Sequence, residues 1–298
     1  MLKYLLTLYS HVPLRTAQRI GSLLGSLAWY LRTNERRITE INLAHCFPEM
    51  DPAERKQLAK RSLQEDGKFL AELPLVWLQP PSRFTSKLYF GDEMEEIRQL
   101  QQEGRGLIFI VPHQGNWEVG LSEVVKNIEM TVFYRPPRQR WLEEVMTIGR
   151  QATGSKTAPT DASGIKQLLG ALKNGEGVAI LPDQTPKKSS ASAAVFSPFF
   201  WQPAYTMTLA AKFAAKTGAA VRSVYMERLP KGEGFRIHLH KVDEDIYDRD
   251  LAKSVRAINA AVEQSVNVCP EQYQWGYKRF TIQPKGTRSP YKVLKLRE

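Results

Sequence analysis

His113 and Glu118 are the residues of this sequence whose chemistry and spacing best suit acid–base catalysis. A neutral imidazole within hydrogen-bonding reach can accept the proton of a hydroxyl group while that hydroxyl attacks a carbonyl carbon. A carboxylate bound to the other ring nitrogen would hold the imidazole in the required tautomer and stabilise the imidazolium that forms. The pair would suit an enzyme that activates an alcohol and transfers an acyl group to it through a tetrahedral intermediate; the alternative is a purely structural histidine, since this spacing also occurs by chance.

A sharp turn must separate the two residues for them to meet. On a continuous helix, residues five positions apart point about 140° away from each other. Pro112 cannot donate a ladder hydrogen bond and so ends the preceding strand, while Gly115 and Asn116 permit the backbone of a tight turn. We therefore expect Glu118 in the first turn of the helix that follows this bend, where it can reach His113.

Short apolar runs alternate with helical patterns after a mostly helical first part of about 90 residues. This rhythm predicts an α/β fold with a mainly parallel central sheet flanked by helices. The predicted strands are 107–111, 130–134, 178–181, 220–226 and 235–242, of which the last has an alternating pattern that suits an antiparallel strand. The predicted helices are 52–73, which should end at Pro74, 117–125, 138–149, 162–173, 205–217 and 251–268.

Open parallel sheets bind ligands at the carboxyl ends of their strands, so residues that follow the strands are candidates for substrate binding. The candidates at strand ends and in the turn are Arg135, Asp183, Gln184 and Asn116. The planar guanidinium of Arg135 suits a phosphate or an oxyanion, although it could also pair with a nearby carboxylate. Asp183 follows a strand and a proline, as His113 does, and its alternative role is that of a turn or N-cap residue.

Two further pairs of polar residues have competing explanations. Lys278 and Arg279, which stand between two aromatic residues, belong either to a solvated face or to a contact with lipid phosphates. His238 and His240 share the polar face of a predicted strand. Because the sequence offers no third ligand beside these histidines, we expect no metal site.

The charge of this 298-residue chain limits the kinds of binding partner, and its cysteine content bears on disulfide bonds. A formal net charge of +11 suggests an anionic lipid surface, an acidic carrier protein or nucleic acid. Basic residues beside apolar and aromatic ones favour lipid, and no RNA-binding ring motif or Cys/His finger is found, so nucleic acid is not expected. With only Cys46 and Cys269, a disulfide framework is not expected either.

The first 31 residues form a segment of their own. They are apolar overall but contain Pro13, Arg15 and Arg19, and their longest uncharged run, 20–31, is shorter than the roughly 20 residues of a spanning helix. We expect residues 1–31 to form an interfacial or membrane-anchoring helix and residues 32–298 to form a single α/β domain. The alternative for the first segment is an ordinary amphipathic helix packed on the core.

The segment from His113 to Glu118 resembles the His-x4-Asp/Glu motif of the lysophospholipid acyltransferase superfamily. It is most similar to the late acyltransferases of lipid A biosynthesis, the lauroyl and myristoyl transferases, and the resemblance covers nearly the whole chain. The other matching blocks are Arg37 with Asn42-Leu43, Cys46-Phe47-Pro48-Glu49, Tyr134-Arg135-Pro136, Leu181-Pro182-Asp183-Gln184, Val195-Phe196 with Pro203-Ala204, and Pro270-Glu271-Gln272-Tyr273 with Trp275 and Lys278-Arg279-Phe280. One departure is Trp201, which stands where a glycine is expected after two phenylalanines.

This resemblance implies a bacterial inner-membrane enzyme at the cytoplasmic face. Such an enzyme would move an acyl chain from acyl carrier protein to a hydroxyl group of a lipid A precursor. The resemblance implies His113 as the base, Glu118 as the residue that orients it, and Arg135 near the acceptor phosphate or the developing oxyanion. It implies no cofactor beyond acyl carrier protein or coenzyme A, which carries the acyl group as a co-substrate.

Three alternatives stay open on the sequence. A related acyltransferase could use a lysophospholipid, an ornithine-type lipid or a glycolipid as acceptor, with acyl carrier protein or coenzyme A as donor. A lipid hydrolase could use the same two residues to activate water. A non-catalytic lipid-binding module would keep its cellular function when His113 is replaced with alanine.

Overall fold

The computed structural model describes residues 2–124, 128–134, 140–186 and 194–292. Its strands are β1 (Leu88–Tyr89), β2 (Leu107–Ile110), β3 (Met130–Tyr134), β4 (Lys156–Pro159), β5 (Gly177–Ile180), β6 (Ala194–Phe199), β7 (Gln202–Met207), β8 (Ala220–Arg228) and β9 (Phe235–Lys241). Its helices are α1 (Leu2–Ser10), α2 (Leu14–Tyr30), α3 (Asn34–Cys46), α4 (Pro52–Leu78), α5 (Ser82–Thr85), α6 (Glu93–Gln102), α7 (Trp117–Val124), α8 (Arg140–Thr153), α9 (Ala162–Lys173), α10 (Leu209–Thr217) and α11 (Leu251–Val268).

A seven-stranded sheet in the described residues has the order β1-β9-β8-β2-β5-β3-β4, and β6 and β7 form a separate antiparallel hairpin. Neighbouring strands of the sheet run parallel except for β8 and β9, which are antiparallel. The prediction of a mainly parallel sheet flanked by helices is therefore confirmed, as is the antiparallel strand at 235–242. Because β2 and β5 are parallel neighbours, their carboxyl ends meet at one edge of the sheet.

Alternate side chains of β2 pack into two cores, one on each face of the sheet. Leu107 and Phe109 belong to a cluster with residues of α6 and α7. Ile108 and Ile110 belong to a second cluster with residues of α9, α10 and α11. All four side chains are fully buried, which explains why the strand is a continuous apolar run in the sequence.

The N-terminal segment forms two helices where the sequence predicts one. Pro13 has no backbone N–H to continue a helix, and α1 ends at Ser10 before α2 begins at Leu14. Within the described ranges, no helix combines the length and the apolar character needed to cross a membrane. One face of α2 is buried, while its other face exposes leucines.

Three glycines allow α2 and α4 to pack closely against each other. A Cβ atom on Gly21 would overlap the backbone of Gly67, and a Cβ atom on Gly67 would overlap the backbone of Gly21. One on Gly25 would overlap the carbonyl oxygen of Leu63 in the same way. The buried face of the N-terminal segment therefore depends on direct backbone contact between the two helices.

Helix α4 continues past Pro74, where the sequence predicts its end. A proline inside a helix removes one hydrogen bond and its ring clashes with the preceding turn. Burial of Leu75 and Trp77 in the last turn opposes that cost. Local pattern alone does not include this tertiary contribution, which accounts for the incorrect boundary.

The predicted helix 205–217 divides into β7 and α10, which begins only at Leu209. Residues 202–207 pair with β6, so that Phe196 lies opposite Tyr205. The hydrogen bonds that define β7 come from a partner strand, and helical propensity within the segment does not reveal them. The hairpin was therefore missed in the sequence.

Replacing Gly67 with alanine should destabilise the protein although alanine favours helices. The helix propensity gains about 1 kcal/mol, but the added Cβ must displace the α2 backbone, and overpacking of this type costs about 1–3 kcal/mol. Gly170→Ala in α9 is the matched control, because nothing beyond its chain neighbours and the backbone of its own helix lies within 4 Å of its Cβ position. It should raise the free energy of unfolding by up to about 1 kcal/mol. Denaturant unfolding measures both variants, and equal stability of the two would contradict the proposed helix contact.

Candidate active site

The turn after β2 is held by backbone hydrogen bonds to two other segments. The N–H groups of Gly115 and Asn116 donate to the carbonyl oxygens of Gln272 and Met226 at 2.9 and 3.2 Å. Gly115 has a φ of +61°, and a Cβ atom there would overlap the carbonyl oxygen of Met226. Only glycine fits this position, so the bend that the sequence predicts is built into the backbone.

His113 lies just beyond β2 and contacts Asp183, which lies just beyond β5. Asp183 Oδ1 is 2.7 Å from His113 Nδ1, and Asp183 Oδ2 accepts a hydrogen bond from the His113 backbone N–H at 2.8 Å. The second ring nitrogen, Nε2, lies 3.1 Å from Gln184 Nε2. With Nδ1–H donating to the carboxylate, Nε2 carries the lone pair and accepts from the Gln184 amide. This is the tautomer that a general base requires.

The Asp183 carboxylate is ionised although only 3% of the residue is exposed. Burial opposes ionisation, but the charge of the imidazole, the hydrogen bonds from His113 and the charge of Arg279 together hold the pKa of Asp183 below its ordinary value. Burial, and then the Asp183 charge, raise the pKa of the Tyr273 phenol well above its ordinary value. A charged Asp183 can therefore stabilise the imidazolium that forms when His113 accepts a proton.

The hydrogen bond described for Glu118 is to Trp77 and not to His113. Glu118 lies in the first turn of α7, as expected, and is largely buried. Its carboxylate accepts a hydrogen bond from Trp77 Nε1 at 3.1 Å, whereas the described partners of the His113 ring nitrogens are Asp183 and Gln184. In this structure Asp183 is the carboxylate at His113 Nδ1, because adjacent parallel strands bring those two residues together, and an orienting role for Glu118 stays a prediction. So does any other participation of Glu118 in the reaction.

Asn116, a predicted substrate-binding residue, is completely buried and anchors the turn. Its side-chain oxygen accepts a hydrogen bond from the Val119 backbone N–H, and its side-chain N–H donates to Glu72 at 2.8 Å. Glu72, in α4, is also completely buried and accepts two hydrogen bonds of 2.7 Å from Arg228 and one of 2.8 Å from Gln18. Each carboxylate oxygen thus accepts two hydrogen bonds, which uses the full acceptor capacity of the group.

The sequence analysis missed Glu72 and Arg228, although one signal was available. Glu72 stands next to Ala71 and three residues before Leu75, on the face of α4 that is buried in the protein. A carboxylate on the apolar face of a helix is costly unless it is paired, so its position alone indicates a buried cation nearby. The identity of that cation could not be inferred from local spacing.

The other predicted substrate-binding residues have different positions. Gln184 lies in the site, and Lys278 is exposed at the surface. Arg279 is buried and donates hydrogen bonds to oxygen atoms of the β6–β7 hairpin, so it is not part of a solvated face. Arg135 lies outside the described residues. Among those that are described, no group of three or more His, Cys, Asp or Glu side chains is arranged to hold a metal ion.

An apolar pocket lies beside the turn, between α7 and the strands β2, β3 and β8. Its lining residues are Phe109, Val111, Trp117, Gly120, Val124, Met130, Val224, Tyr225 and Met226. The centroid of the Trp117 ring is 5.0 Å from that of the His113 ring, so the indole connects the pocket to the imidazole. The lining is apolar and the free volume is only about 10 Å³, and the sequence analysis did not identify this pocket.

Comparisons with known proteins show the family of this chain. The family model described as bacterial lipid A biosynthesis acyltransferase matches residues 2–281. A lipid A biosynthesis palmitoleoyltransferase of Escherichia coli is 28% identical over 287 residues, which cover 96% of this chain and 92% of the relative. The lauroyltransferase of the same organism is 29% identical over 292 residues, with the same coverage, and the myristoyltransferase is 26% identical over 277 residues, covering 90% of this chain and 82% of the relative.

Asp183→Asn should lower kcat for acyl transfer by about 10²- to 10⁴-fold, because the imidazole loses both its fixed tautomer and the charge that stabilises its protonated form. Glu118→Gln, the matched removal of a neighbouring carboxylate, should cost less. Initial rates and thermal unfolding of both variants test this order. A larger loss in Glu118→Gln would mean that the imidazole turns to Glu118 during the reaction.

Glu72 should affect the reaction by positioning the turn after β2. Separate measurements of stability and activity test this role. Glu72→Met leaves Arg228 buried without its main partner, and breaking a buried pair in this way costs about 3–5 kcal/mol. The double variant Glu72→Met/Arg228→Met removes both charges and should recover most of that stability. Its kcat should remain low, because Asn116 has lost its acceptor.

The control for this experiment is the ion pair of Arg222 with Glu96, whose Nε and Oε1 atoms are 2.6 Å apart at the other end of β8. Glu96→Gln should leave kcat unchanged. Thermal unfolding and steady-state kinetics are measured for all four proteins. Recovery of kcat together with stability in the double variant would mean that Glu72 and Arg228 only stabilise the fold.

Proposed function

Because the chain belongs to the bacterial lipid A biosynthesis acyltransferases, we propose that it transfers a fatty acyl chain from acyl carrier protein to a hydroxyl group of a lipid A precursor. The chain is an acyltransferase, and the proposal concerns its donor, its acceptor and its mechanism. The observation that carries the mechanism is the hydrogen bond between His113 Nδ1 and Asp183 at the edge of the sheet. That contact leaves Nε2 available as a base.

In the proposed reaction, the acceptor hydroxyl replaces the Gln184 amide at His113 Nε2. The imidazole takes the hydroxyl proton as the oxygen attacks the thioester carbonyl, and a tetrahedral intermediate forms. Asp183 stabilises the imidazolium during this step. When the intermediate collapses, the carbon–sulfur bond breaks and the imidazolium returns its proton to the sulfur, giving an ester and a free thiol.

Arg135 and Glu118 are proposed members of the same site. Arg135 directly follows β3 in the sequence, and a guanidinium at such a strand end suits the acceptor phosphate or the negative charge on the intermediate. Glu118 begins the helix that follows the catalytic turn. We propose that it lies near the reacting groups, with its hydrogen bond to Trp77 fixing its direction.

We propose that the acyl chain enters the apolar pocket beside Trp117, which must widen to hold it, because its free volume is only about 10 Å³. Its lining side chains are almost all apolar, and the ring of Trp117 in that lining lies 5.0 Å from the ring of His113. Burial of alkyl groups there would be favourable by about 0.8 kcal/mol for each methylene. Gly120 lines the pocket without a side chain, and the Met226 side chain already lies within about 3.5 Å of the position that a Cβ atom would take there.

The exposed face of the N-terminal helices is proposed to lie on the cytoplasmic leaflet of the inner membrane. Its exposed apolar residues are Tyr4, Leu5 and Leu8 of α1 and Ile20, Leu23, Leu24, Leu27 and Tyr30 of α2. Arg15 and Arg19 are exposed on the same helix and could meet lipid phosphates. An interfacial position is consistent with the acceptor, since a lipid A precursor has acyl chains of its own.

Acyl carrier protein is proposed as the donor because the chain carries a net charge of +11, which favours an acidic partner. Acyl coenzyme A is also anionic and remains the alternative donor. A lysophospholipid, an ornithine-type lipid or a glycolipid remains the alternative acceptor. The relatives are named for palmitoleoyl, lauroyl and myristoyl transfer, so the proposed chain is a long fatty acyl group.

The proposal is tested by incubating purified protein with acyl carrier protein or coenzyme A carrying acyl chains of different lengths. Lipid A precursor and lysophospholipid are offered separately, and the products are weighed by mass spectrometry. We expect a mass gain of one acyl group on the lipid A precursor, and at least a 10²-fold slower reaction for His113→Ala, because general base catalysis contributes that factor.

The other outcomes each contradict a part of the proposal. A mass gain on lysophospholipid alone would change the acceptor. Fatty acid released without any acceptor would indicate a hydrolase. No product with any donor and acceptor, from protein that is folded by circular dichroism, would contradict the assigned transfer reaction and favour a lipid-binding module.

A further inference from the structure

The turn of the β6–β7 hairpin has a backbone conformation that its residues do not favour. Phe199 pairs with Gln202, which leaves Phe200 and Trp201 as a two-residue loop. Their φ values are +47° and +65°. Hairpin loops with positive φ at both positions are typically Asn-Gly, because bulky residues are strained in this region.

The two loop residues differ sharply in their surroundings. Phe200 is buried, its ring lies 4.9 Å from that of Phe47, and its backbone N–H donates to Glu263 at 2.8 Å. These contacts explain why Phe200 tolerates the strained conformation. Trp201 is 88% exposed. Packing in the folded protein therefore does not explain a tryptophan at this position. Glycine would adopt the same backbone conformation without strain.

The outward face of the hairpin, like Trp201, exposes apolar side chains. Phe196 is exposed, and its ring lies 5.1 Å from that of Tyr205 on the opposite strand. Pro198 is also exposed on this side. On the inward side, by contrast, Thr206 is hydrogen bonded to Asn259 of α11. The hairpin is thus packed on one face and presents aromatic rings and proline on the other.

This hairpin is connected directly to the catalytic edge of the sheet. The buried Arg279 guanidinium donates to the carbonyl oxygen of Tyr205 at 2.8 Å, and its charge lowers the pKa of Asp183. Thr185, two residues after Asp183, donates from its hydroxyl to the Arg279 carbonyl oxygen at 2.8 Å. Lys278, the residue before Arg279, is exposed. Hydrogen bonds through Arg279 and Thr185 therefore link the hairpin to the site that, in the proposed function, receives a lipid.

We propose that Trp201 and the outward face of the β6–β7 hairpin bind the headgroup layer of an anionic lipid membrane, as a second attachment besides α1 and α2. The inference rests on the proposed function, in which the acceptor is a lipid. An indole has an apolar body and an N–H donor and settles at headgroup depth. Lys278 and the positive net charge favour anionic lipid over a neutral surface.

The hairpin would hold the catalytic edge of the sheet against the leaflet. Phe200 packs on Phe47, the residue after α3, and α3 follows α2 in the chain. The two proposed attachments are therefore linked through packed elements of the fold. A protein attached at both places would keep its site facing the leaflet rather than turning about the N-terminal helices.

Trp201→Gly is the most informative variant, because it should change stability and lipid binding in opposite directions. Glycine adopts the positive φ without strain, so the midpoint of thermal unfolding should rise. Binding to vesicles of phosphatidylglycerol and phosphatidylethanolamine should fall by about tenfold, since burial of one large apolar side chain is worth at least that factor. Trp201→Tyr should keep most of the vesicle affinity. Sedimentation with vesicles and thermal unfolding measure the two effects.

Ile165→Ser is the matched control, because Ile165 is an exposed apolar residue on α9. It should leave vesicle affinity unchanged. Unchanged affinity in Trp201→Gly would overturn the inference, and so would a loss equal to that in Ile165→Ser. A change from dimer to monomer in lipid-free buffer would also overturn it by indicating a second copy as the partner.

The test separates this inference from the proposed function. Vesicle binding is measured without donor or acceptor, so it does not depend on the reaction. If wild-type protein acylates the lipid A precursor but Trp201→Gly binds vesicles as tightly as wild type, only the membrane role of the hairpin is wrong. If wild-type protein fails to transfer acyl groups but Trp201→Gly still loses vesicle affinity, only the reaction is wrong.

Discussion

The hydrogen bond between His113 and Asp183 is the interaction on which the rest of the site depends. It joins the ends of two parallel strands and selects the tautomer that leaves Nε2 basic. The carboxylate stays charged in a buried position only because the imidazole, the His113 backbone N–H and Arg279 all stabilise it. Parallel pairing of β2 with β5 is thus a chemical requirement of the site as well as a feature of the fold.

A second buried carboxylate connects the site with the N-terminal helices. Glu72 accepts hydrogen bonds from α2, from the turn after β2 and from Arg228 of β8, and no acceptor position is left unused. A charge of this kind is tolerated in the interior only when it is fully paired. Hydrogen bonds to Glu72 therefore connect α2, which exposes an apolar face, to the turn that carries His113.

The sequence was sufficient for most of the fold and for one half of the site. Buried parallel strands are continuous apolar runs, so β2, β3, β5 and β8 could be located, and Gly115 marked the turn after β2. The hairpin strand β7 and the extension of α4 beyond Pro74 could not be located, because each is stabilised by residues distant in the chain. The sequence analysis gave Arg279 the same two alternatives as its exposed neighbour Lys278. In the structure Arg279 is buried beneath the site.

What the sequence determined by itself is local: the alternation of strands and helices, the sharp bend after Pro112, and an imidazole at the end of a strand. What only the tertiary structure decided is which carboxylate meets that imidazole. Glu118 is five residues away in the chain, but its helix directs it towards Trp77, while Asp183 comes from 70 residues further along the chain. The physical reason is that strand order in a sheet sets distances between side chains independently of their separation in sequence.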